Sequence, residues 1–114
     1  MALHTATSDR FRLTVMIARM WRGWVATDRA AEYVTYVTKT GLAEYRQTPG
    51  NLTAQLWTRD LGDGRTEVVT ASWWESLEAI KGFAGDDISQ AVLYPEDEGY
   101  LLDKETTVSH YVVA

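Results

Sequence analysis

Two adjacent tryptophans, Trp73 and Trp74, end a segment of β-strand composition, RTEVVTASWW (65–74). Neighbouring side chains on a strand point to opposite faces of the sheet, so one indole lies on each face. The segment FRLTVMIARMWRGWV (11–25) is apolar at odd and even positions alike, which is the pattern of a strand covered on both sides. The sequence therefore predicts a sheet with a packed layer on each face.

The first half of the chain predicts a strand, a helix and a hairpin. Thr27 follows the first strand and is predicted to cap a helix that ends before Pro49. Two further strands, 51–60 and 65–74, flank the turn sequence LGDG, whose Asp-Gly pair is a strong hairpin signal.

The second half predicts a helix and a closing strand. Ser76 is predicted to cap a shorter helix that stops at Gly85. A further helical turn, capped by one of the two aspartates that follow, is expected before Pro95, and ETTVSHYVVA (105–114) is predicted to be the fourth strand. The order βαββαβ predicts an α+β, ferredoxin-like domain with a four-stranded antiparallel sheet and both helices on one face. This single domain spans residues 1–114, with 1–10 expected to form a flexible extension.

Two helices on one face leave the other face of this sheet uncovered. All five tryptophans lie in predicted strands, and the rest of the chain is too short to supply another layer. A second copy of the chain, packed sheet against sheet in a symmetric homodimer, is the economical cover. One tryptophan of the adjacent pair would then pack under the helices and the other would enter the subunit interface.

Composition excludes several classes of partner and chemistry. The formal net charge of -5 argues against nucleic acid and against an anionic membrane surface, which leaves small apolar or aromatic molecules as partners. The chain has no cysteine, so disulfides, thiolate metal sites and cysteine nucleophiles are excluded. There is no apolar run of about twenty residues and no signal-peptide pattern, so a cytoplasmic location is expected.

Several motifs between Met16 and Val113 resemble the antibiotic biosynthesis monooxygenase superfamily of dimeric α+β barrels. They are MIARMW, YRQTPGN, SWWESLEAIKGFAGDD, YPED and VSHYVV. The resemblance implies a barrel-type homodimer. It also implies a monooxygenase that needs no cofactor and acts on a small aromatic or polyketide-like substrate, although related barrels degrade haem, isomerise or cyclise.

The resemblance transfers only in part to individual residues. Trp74 matches a tryptophan that lines the pocket between sheet and helices in quinone-forming members. Thr70 and Ile80 stand where those members have asparagine and tyrosine, so that oxygenation site is incomplete. The axial histidine of haem-degrading members has no counterpart, because the chain has no histidine between His4 and His110. We therefore expect a colourless protein with no metal, haem or flavin.

Three residues are candidates for catalysis. His110 lies among valines in the last predicted strand and is a candidate base, with a hydrogen-bonded structural imidazole as the alternative. Arg19 and Arg22 interrupt the apolar first strand and are candidates to hold a substrate anion, with a paired or rim-facing role as the alternative. The run EDE (96–98) is interpreted as a solvated loop rather than a metal site.

A substrate pocket is expected between the sheet and the helices, where two short helices form only a partial lid. Trp74 would form its wall. The other candidate lining residues are Thr70 and Ser72 on the same face of the strand, Phe83 and Tyr94 from the lid, and Trp21 near Arg19. The alternative for the aromatic residues is simple core packing.

Three functions remain open on this evidence. The first is an oxygenase that deprotonates an acidic phenol and lets the resulting anion react with oxygen. The second is an isomerase or cyclase that needs only acid and base groups, and the third is a small-molecule binding protein without turnover. Fold alone does not choose among them.

Overall fold

The computed structural model describes residues 15–114, and a long central strand organises them. The expected extension (1–10) and the start of the predicted first strand (11–14) lie outside the described residues. The elements are β1 (Met16–Ala26), α1 (Ala30–Lys39), α2 (Gly41–Gln47), β2 (Asn51–Asp60), β3 (Arg65–Trp74), α3 (Leu77–Ala84), β4 (Leu101–Lys104) and β5 (Ser109–Val113). Short 3₁₀ helices cover Thr27–Arg29 and Pro95–Gly99.

The sheet is antiparallel throughout, in the order β2-β3-β1-β4, and β5 also pairs with β1. The predicted ferredoxin-like α+β fold is confirmed, and the predicted second and third strands have the observed bounds. The predicted fourth strand (105–114) is wrong in detail, because its place is shared by β4 and β5. The Glu105 carboxylate accepts the backbone N–H of Arg22 at 3.0 Å, so a side chain interrupts the ladder between the two short strands.

The first predicted helix is divided into two. Thr27 does not cap it, because the Thr27 hydroxyl lies 2.9 Å from that of Thr66 and is engaged there. A 3₁₀ turn leads instead into α1, and Thr40 (φ -106°, ψ -92°) then separates α1 from α2. The break turns α2 so that Leu42 and Tyr45 are buried near the β2 end of the sheet.

The cap of α3 is confirmed and the helical turn expected after it is wrong. The Ser76 hydroxyl accepts the N–H of Ala79 at 3.0 Å, and Gly85 follows the helix with φ +81°. Residues 86–94 form no helix, because their backbone pairs with the edge of the sheet instead. Val108 donates to the Ser89 carbonyl at 2.8 Å. Pro95 begins a 3₁₀ helix rather than ending one.

The adjacent tryptophans lie on opposite faces, as predicted. Trp74 is fully buried on the face that carries the helices, hereafter the helix face, with its ring edge-on to Tyr45 at 6.1 Å. Trp73 lies on the other face, hereafter the open face, beside Trp57 at 6.4 Å. Trp57 is 42% exposed, so the open face carries large apolar groups that the described residues leave uncovered. Within residues 15–114, no helix has the length and hydropathy needed to cross a membrane.

Candidate functional site

Arg19 carries a buried positive charge on the helix face of β1. It is 1% exposed, and its Nη1 and Nη2 atoms donate to the carbonyl oxygens of Ile88 at 2.5 Å and Gln90 at 3.2 Å. Its Nε atom is buried and has no hydrogen-bond partner among the described residues. No carboxylate within residues 15–114 forms a salt bridge with it. Because buried charges are normally paired, this one is an exception that requires a reason.

His110 lies directly across from Arg19, in register on β5. Its Nε2 atom is 3.0 Å from Arg19 Nη1. A guanidinium can only donate, so Nε2 accepts and the proton of the neutral ring is on Nδ1. Burial lowers the pKa of His110, and the charge of Arg19 lowers it further. The imidazole is therefore neutral at pH 7 and able to accept a proton.

Two aromatic residues connect this pair to the space under the helices. The guanidinium carbon of Arg19 is 5.9 Å from the ring centre of Phe83, and Phe83 lies 4.3 Å from Tyr45 between ring centres. Burial lowers the pKa of Arg19, and the nearby Tyr45 hydroxyl opposes that shift. Phe83 and Tyr45 also line the cavity described next. The Arg19–His110 pair therefore lies behind one wall of that cavity.

A cavity of about 30 Å³, hereafter the inner cavity, lies between the sheet and the helices. That volume is enough for one water-sized group. Its polar lining comes from Tyr33, Tyr45, Thr70 and Asp97. The rest of the lining is Trp21, Val37, Thr40, Gly41, Phe83, Val92, Leu93 and Tyr94.

Asp97 and Tyr33 form a buried polar pair at the inner cavity. Asp97 is 4% exposed, and its carboxylate accepts the Tyr33 hydroxyl at 2.9 Å and the backbone N–H of Tyr94 at 2.6 Å. Burial raises the pKa of Asp97 despite the hydrogen bond from Tyr33. Burial also raises the pKa of Tyr33, and the carboxylate of Asp97 adds to this effect. Tyr33 therefore stays neutral and donates its only hydroxyl proton to Asp97.

The predicted lining residues divide into two groups. Four of them line the inner cavity, namely Thr70, Phe83, Tyr94 and Trp21. Trp74 and Ser72 do not. The Trp74 indole N–H donates to the Ser72 hydroxyl at 2.9 Å, and both side chains are buried in the core behind Tyr45. Trp74, which was predicted to form the wall of the pocket, therefore does not line the inner cavity, because Tyr45 stands in front of it.

Arg22 does not share the site with Arg19. The two arginines are three residues apart on one strand and so point to opposite faces. The Arg22 side chain is 52% exposed on the open face and pairs with Glu105 at 2.9 Å. The interpretation of 96–98 as a wholly solvated loop is also wrong, because its central residue, Asp97, is buried.

A larger groove of about 540 Å³ lies on the open face. Apolar groups from Met20, Trp57, Val69 and Tyr111 line it, together with two arginine–glutamate pairs, Arg22–Glu105 and Arg59–Glu67. Both arginines of the groove are thus paired with a glutamate of the same chain, in contrast to Arg19.

Fold and site together define a ferredoxin-like α+β domain with a small, partly polar cavity between sheet and helices and with a buried arginine beside a half-buried histidine. Solved structures share this fold. The chain is similar to a "putative antibiotic biosynthesis monooxygenase" from Bacillus cereus at 18% identity, with a TM-score of 0.58 over 87% of this chain and 93% of that one. A conserved protein from Methanosarcina mazei matches at 17% identity, with a TM-score of 0.62 over 90% and 96% of the two chains.

A third structure, a "putative antibiotic biosynthesis monooxygenase" from Nitrosomonas europaea, has 14% identity and a TM-score of 0.57 over 87% of this chain and 88% of that one. No family model matches the sequence, and no curated protein matches it. At these identities the likeness concerns the fold alone.

Proposed function

We propose that this protein is a monooxygenase that needs no cofactor and acts on a small acidic phenol of the aromatic or polyketide type. The observation that carries the proposal is the buried positive charge of Arg19, which has no carboxylate partner among the described residues and lies beside the neutral base His110. A phenolate oxygen would supply the missing negative charge. The names of two structures with the same fold agree with this class of reaction.

Arg19 and His110 suit the formation of a phenolate. A phenol oxygen that approaches the guanidinium also approaches Nε2 of His110, because these two groups are 3.0 Å apart. Nε2 of His110 now accepts from Arg19, so the phenol would replace that hydrogen bond, give its proton to Nε2 and leave its anion held by Arg19. A preformed charge in a site that excludes water stabilises a developing anion more than bulk water does.

The reaction balances without an added reductant. Loss of the hydroxyl proton from the enol (anthranol-type) tautomer makes the ring CH that is conjugated with this oxygen electron-rich, and this carbon, which is the CH₂ of the keto form, then reacts with O₂. The CH₂ becomes C=O, one oxygen atom of O₂ enters that carbonyl, and the other leaves as water with the two hydrogens. The substrate supplies all four electrons that reduce O₂, so no flavin or metal is required for the balance.

The substrate needs more room than the inner cavity has. A volume of about 30 Å³ is well below the roughly 300 Å³ of a usual ligand pocket. Residues 86–94 border the cavity and contain no helix. Arg19 holds this segment through the carbonyls of Ile88 and Gln90. An anion bound to Arg19 would replace these carbonyls, so substrate binding and outward movement of the segment would occur together.

We also propose that two copies pair through the open face. Met16, Trp57 and Tyr111 are 37%, 42% and 54% exposed there, and large apolar patches of this kind mark interfaces. A partner's side chains would fill the groove of about 540 Å³. The inner cavity of each copy would remain on the other side of its own sheet.

Oxygen uptake with 1,8-dihydroxyanthrone tests the reaction, because this compound combines acidic phenols with a reactive CH₂. We expect uptake of one O₂ per quinone formed, above the rate without protein. Arg19→Gln should lower turnover by a factor of about 100 or more, as the loss of an oxyanion-stabilising donor does. Arg65→Gln is the matched control, because Arg65 pairs with Asp63 in the exposed hairpin turn and should keep wild-type turnover.

The same assay separates the alternatives. Conversion of a related substrate without oxygen uptake would favour an isomerase or cyclase, and a ligand recovered unchanged would favour a binding protein. Equal turnover in wild type and Arg19→Gln would contradict the proposed site.

The pH dependence of turnover tests the base. His110 must be neutral to accept a proton, and its pKa is lowered from the usual 6.5. We therefore expect turnover to be constant near pH 7 and to fall about tenfold per pH unit only below the lowered pKa of His110. In His110→Gln this acid limb should disappear and the plateau should drop about 100-fold. An unchanged profile in that variant would assign His110 a structural role.

A further inference from the structure

The inner cavity holds a second polar site, apart from the Arg19–His110 pair. Tyr33, Tyr45, Thr70 and Asp97 are at most 7% exposed, and all four line a space large enough for one water-sized group. Four buried polar side chains around such a small space form a binding site for one polar atom with its hydrogen.

The hydrogen bonds within this site are incomplete. The hydroxyls of Tyr45 and Thr70 are 3.5 Å apart, which is long for an O–H···O bond, where about 2.7 Å is usual. The Tyr33 hydroxyl donates to Asp97 and keeps its lone pairs free to accept. Asp97 accepts from Tyr33 and from the Tyr94 N–H, one bond to each oxygen, and a carboxylate can accept about four. The site therefore has spare acceptors and one or two hydroxyl donors.

We infer that the inner cavity recognises a neutral hydroxyl group of the ligand, which would donate to the Tyr33 hydroxyl oxygen, itself oriented by Asp97, and accept from Thr70 or Tyr45. This inference rests on the proposed function for the identity of the ligand as an acidic phenol. The ligand would carry two distinct oxygens: an anionic one at Arg19 and a neutral hydroxyl in the inner cavity. Phe83 and Tyr45 lie between the two positions, so the ligand ring would pack against their rings once the segment 86–94 has moved outward.

The buried carboxylate favours a neutral donor over a second anion. Asp97 has no salt-bridge partner within residues 15–114, because the nearby Lys104 ammonium pairs with Glu98 at 3.1 Å. A second phenolate beside this carboxylate would be repelled, whereas a neutral alcohol would not. The site therefore selects an alcohol or a weakly acidic hydroxyl at the far end of the ligand.

A pair of stable quinones that differ by one non-acidic hydroxyl tests the inference without any turnover. The probes are 1,8-dihydroxy-3-(hydroxymethyl)anthraquinone and 1,8-dihydroxy-3-methylanthraquinone, and quenching of tryptophan fluorescence reports binding. Wild type should bind the hydroxymethyl compound about 3- to 10-fold more tightly, which is the usual effect of one hydrogen bond. Tyr33→Phe should remove this preference and leave the affinity for the methyl compound within about twofold.

Two further variants keep the test decisive. Thr70→Val removes a hydroxyl at constant shape and should also reduce the preference, which covers the case that Tyr33→Phe does not fold. Tyr36→Phe is the matched control: Tyr36 is on the same helix and its ring lies 6.1 Å from that of Tyr33, but it does not line the inner cavity. It should keep the full preference.

The possible failures can be told apart. If wild type shows no preference, binds neither quinone, or keeps its preference in both Tyr33→Phe and Thr70→Val, the hydroxyl site is wrong. The proposed reaction is judged separately, by oxygen uptake with 1,8-dihydroxyanthrone, which lacks the extra hydroxyl. Loss of oxygen uptake in Arg19→Gln with an unchanged quinone preference would support both the reaction site and the separate hydroxyl site.

Discussion

The two faces of the sheet differ in how their charged side chains are paired. On the helix face, Arg19 and Asp97 are almost fully buried, and neither has a salt-bridge partner among residues 15–114. On the open face, Arg22 pairs with Glu105 at 2.9 Å and Arg59 pairs with Glu67 at 3.2 Å. The open face also exposes large apolar groups, whereas the helix face buries them.

This difference indicates which face of the sheet is the better candidate for ligand binding. A buried unpaired charge costs folding free energy, so the charge of Arg19 on the helix face supports the proposal that an anionic ligand binds there. Balanced charges among exposed aromatic rings need no ligand and suit a protein surface that packs against another. The helix face around Arg19, rather than the larger groove on the open face, is therefore the better candidate for chemistry.

The largest expected effect on stability tests whether the helix face is the true core. Trp74 is fully buried and contacts the rings of Tyr45 and Phe83. Trp74→Ala should lower the free energy of unfolding by about 3–5 kcal/mol, measured by chemical denaturation. A loss below about 1 kcal/mol, or a selective loss of ligand binding at full stability, would restore the earlier interpretation of Trp74 as a pocket wall.

A charge on the open face should separate the two copies. Trp57→Glu places a carboxylate in the proposed interface, and a buried unpaired charge there costs several kcal/mol. We expect sedimentation velocity to show a dimer for wild type and a folded monomer for the variant at micromolar concentration. Leu77→Glu is the control, because Leu77 is 49% exposed at the start of α3, on the other layer. Equal sedimentation of wild type and Trp57→Glu would remove the open face as the interface.

Lowering the pH should reduce the free energy of unfolding through His110, which lies on the helix face. The pKa of His110 is lowered in the folded protein, chiefly by burial and then by Arg19, so the unfolded chain binds more protons. The free energy of unfolding should therefore fall as the pH drops below about 6.5, the ordinary pKa of histidine, and level off below the lowered one. Denaturation from pH 7.5 to 5 measures this slope, and His110→Gln should reduce it. A slope that is the same in both proteins would show that His110 is not coupled to folding.

Patterns in the sequence predicted the faces of the sheet better than the site. Strand parity placed Trp73 and Trp74 on opposite faces, because alternation is a local property of the backbone. Parity also separates Arg19 from Arg22, and applying it to the arginines as strictly as to the tryptophans would have removed Arg22 from the site.

No pattern in the sequence identified the polar residues that line the inner cavity. Asp97 stands in an acidic run that is typical of a solvated loop, and its burial depends on the tertiary contact with Tyr33, 64 positions away in the chain. No pattern marked Tyr45 as a cavity residue either, because helical periodicity indicates a buried face and not a cavity beside it. The segment 86–94 was expected to be helical for a similar reason: the edge of the sheet that takes its hydrogen bonds is distant in sequence.

The smallest expected effect concerns the open-face arginine nearest to Arg19 in the chain. The Arg22 side chain is 52% exposed, and its pairing with Glu105 is open to solvent and salt. Exposed ion pairs contribute less than about 1 kcal/mol, so in the monomeric Trp57→Glu background Arg22→Gln should change the free energy of unfolding by no more than that, and 0.5 M salt should abolish the difference. Chemical denaturation at low and high salt measures both. A larger loss that persists in salt in that background would contradict an exposed pair, whereas a larger loss in the wild-type background alone would mean that the partner of the proposed dimer buries Arg22.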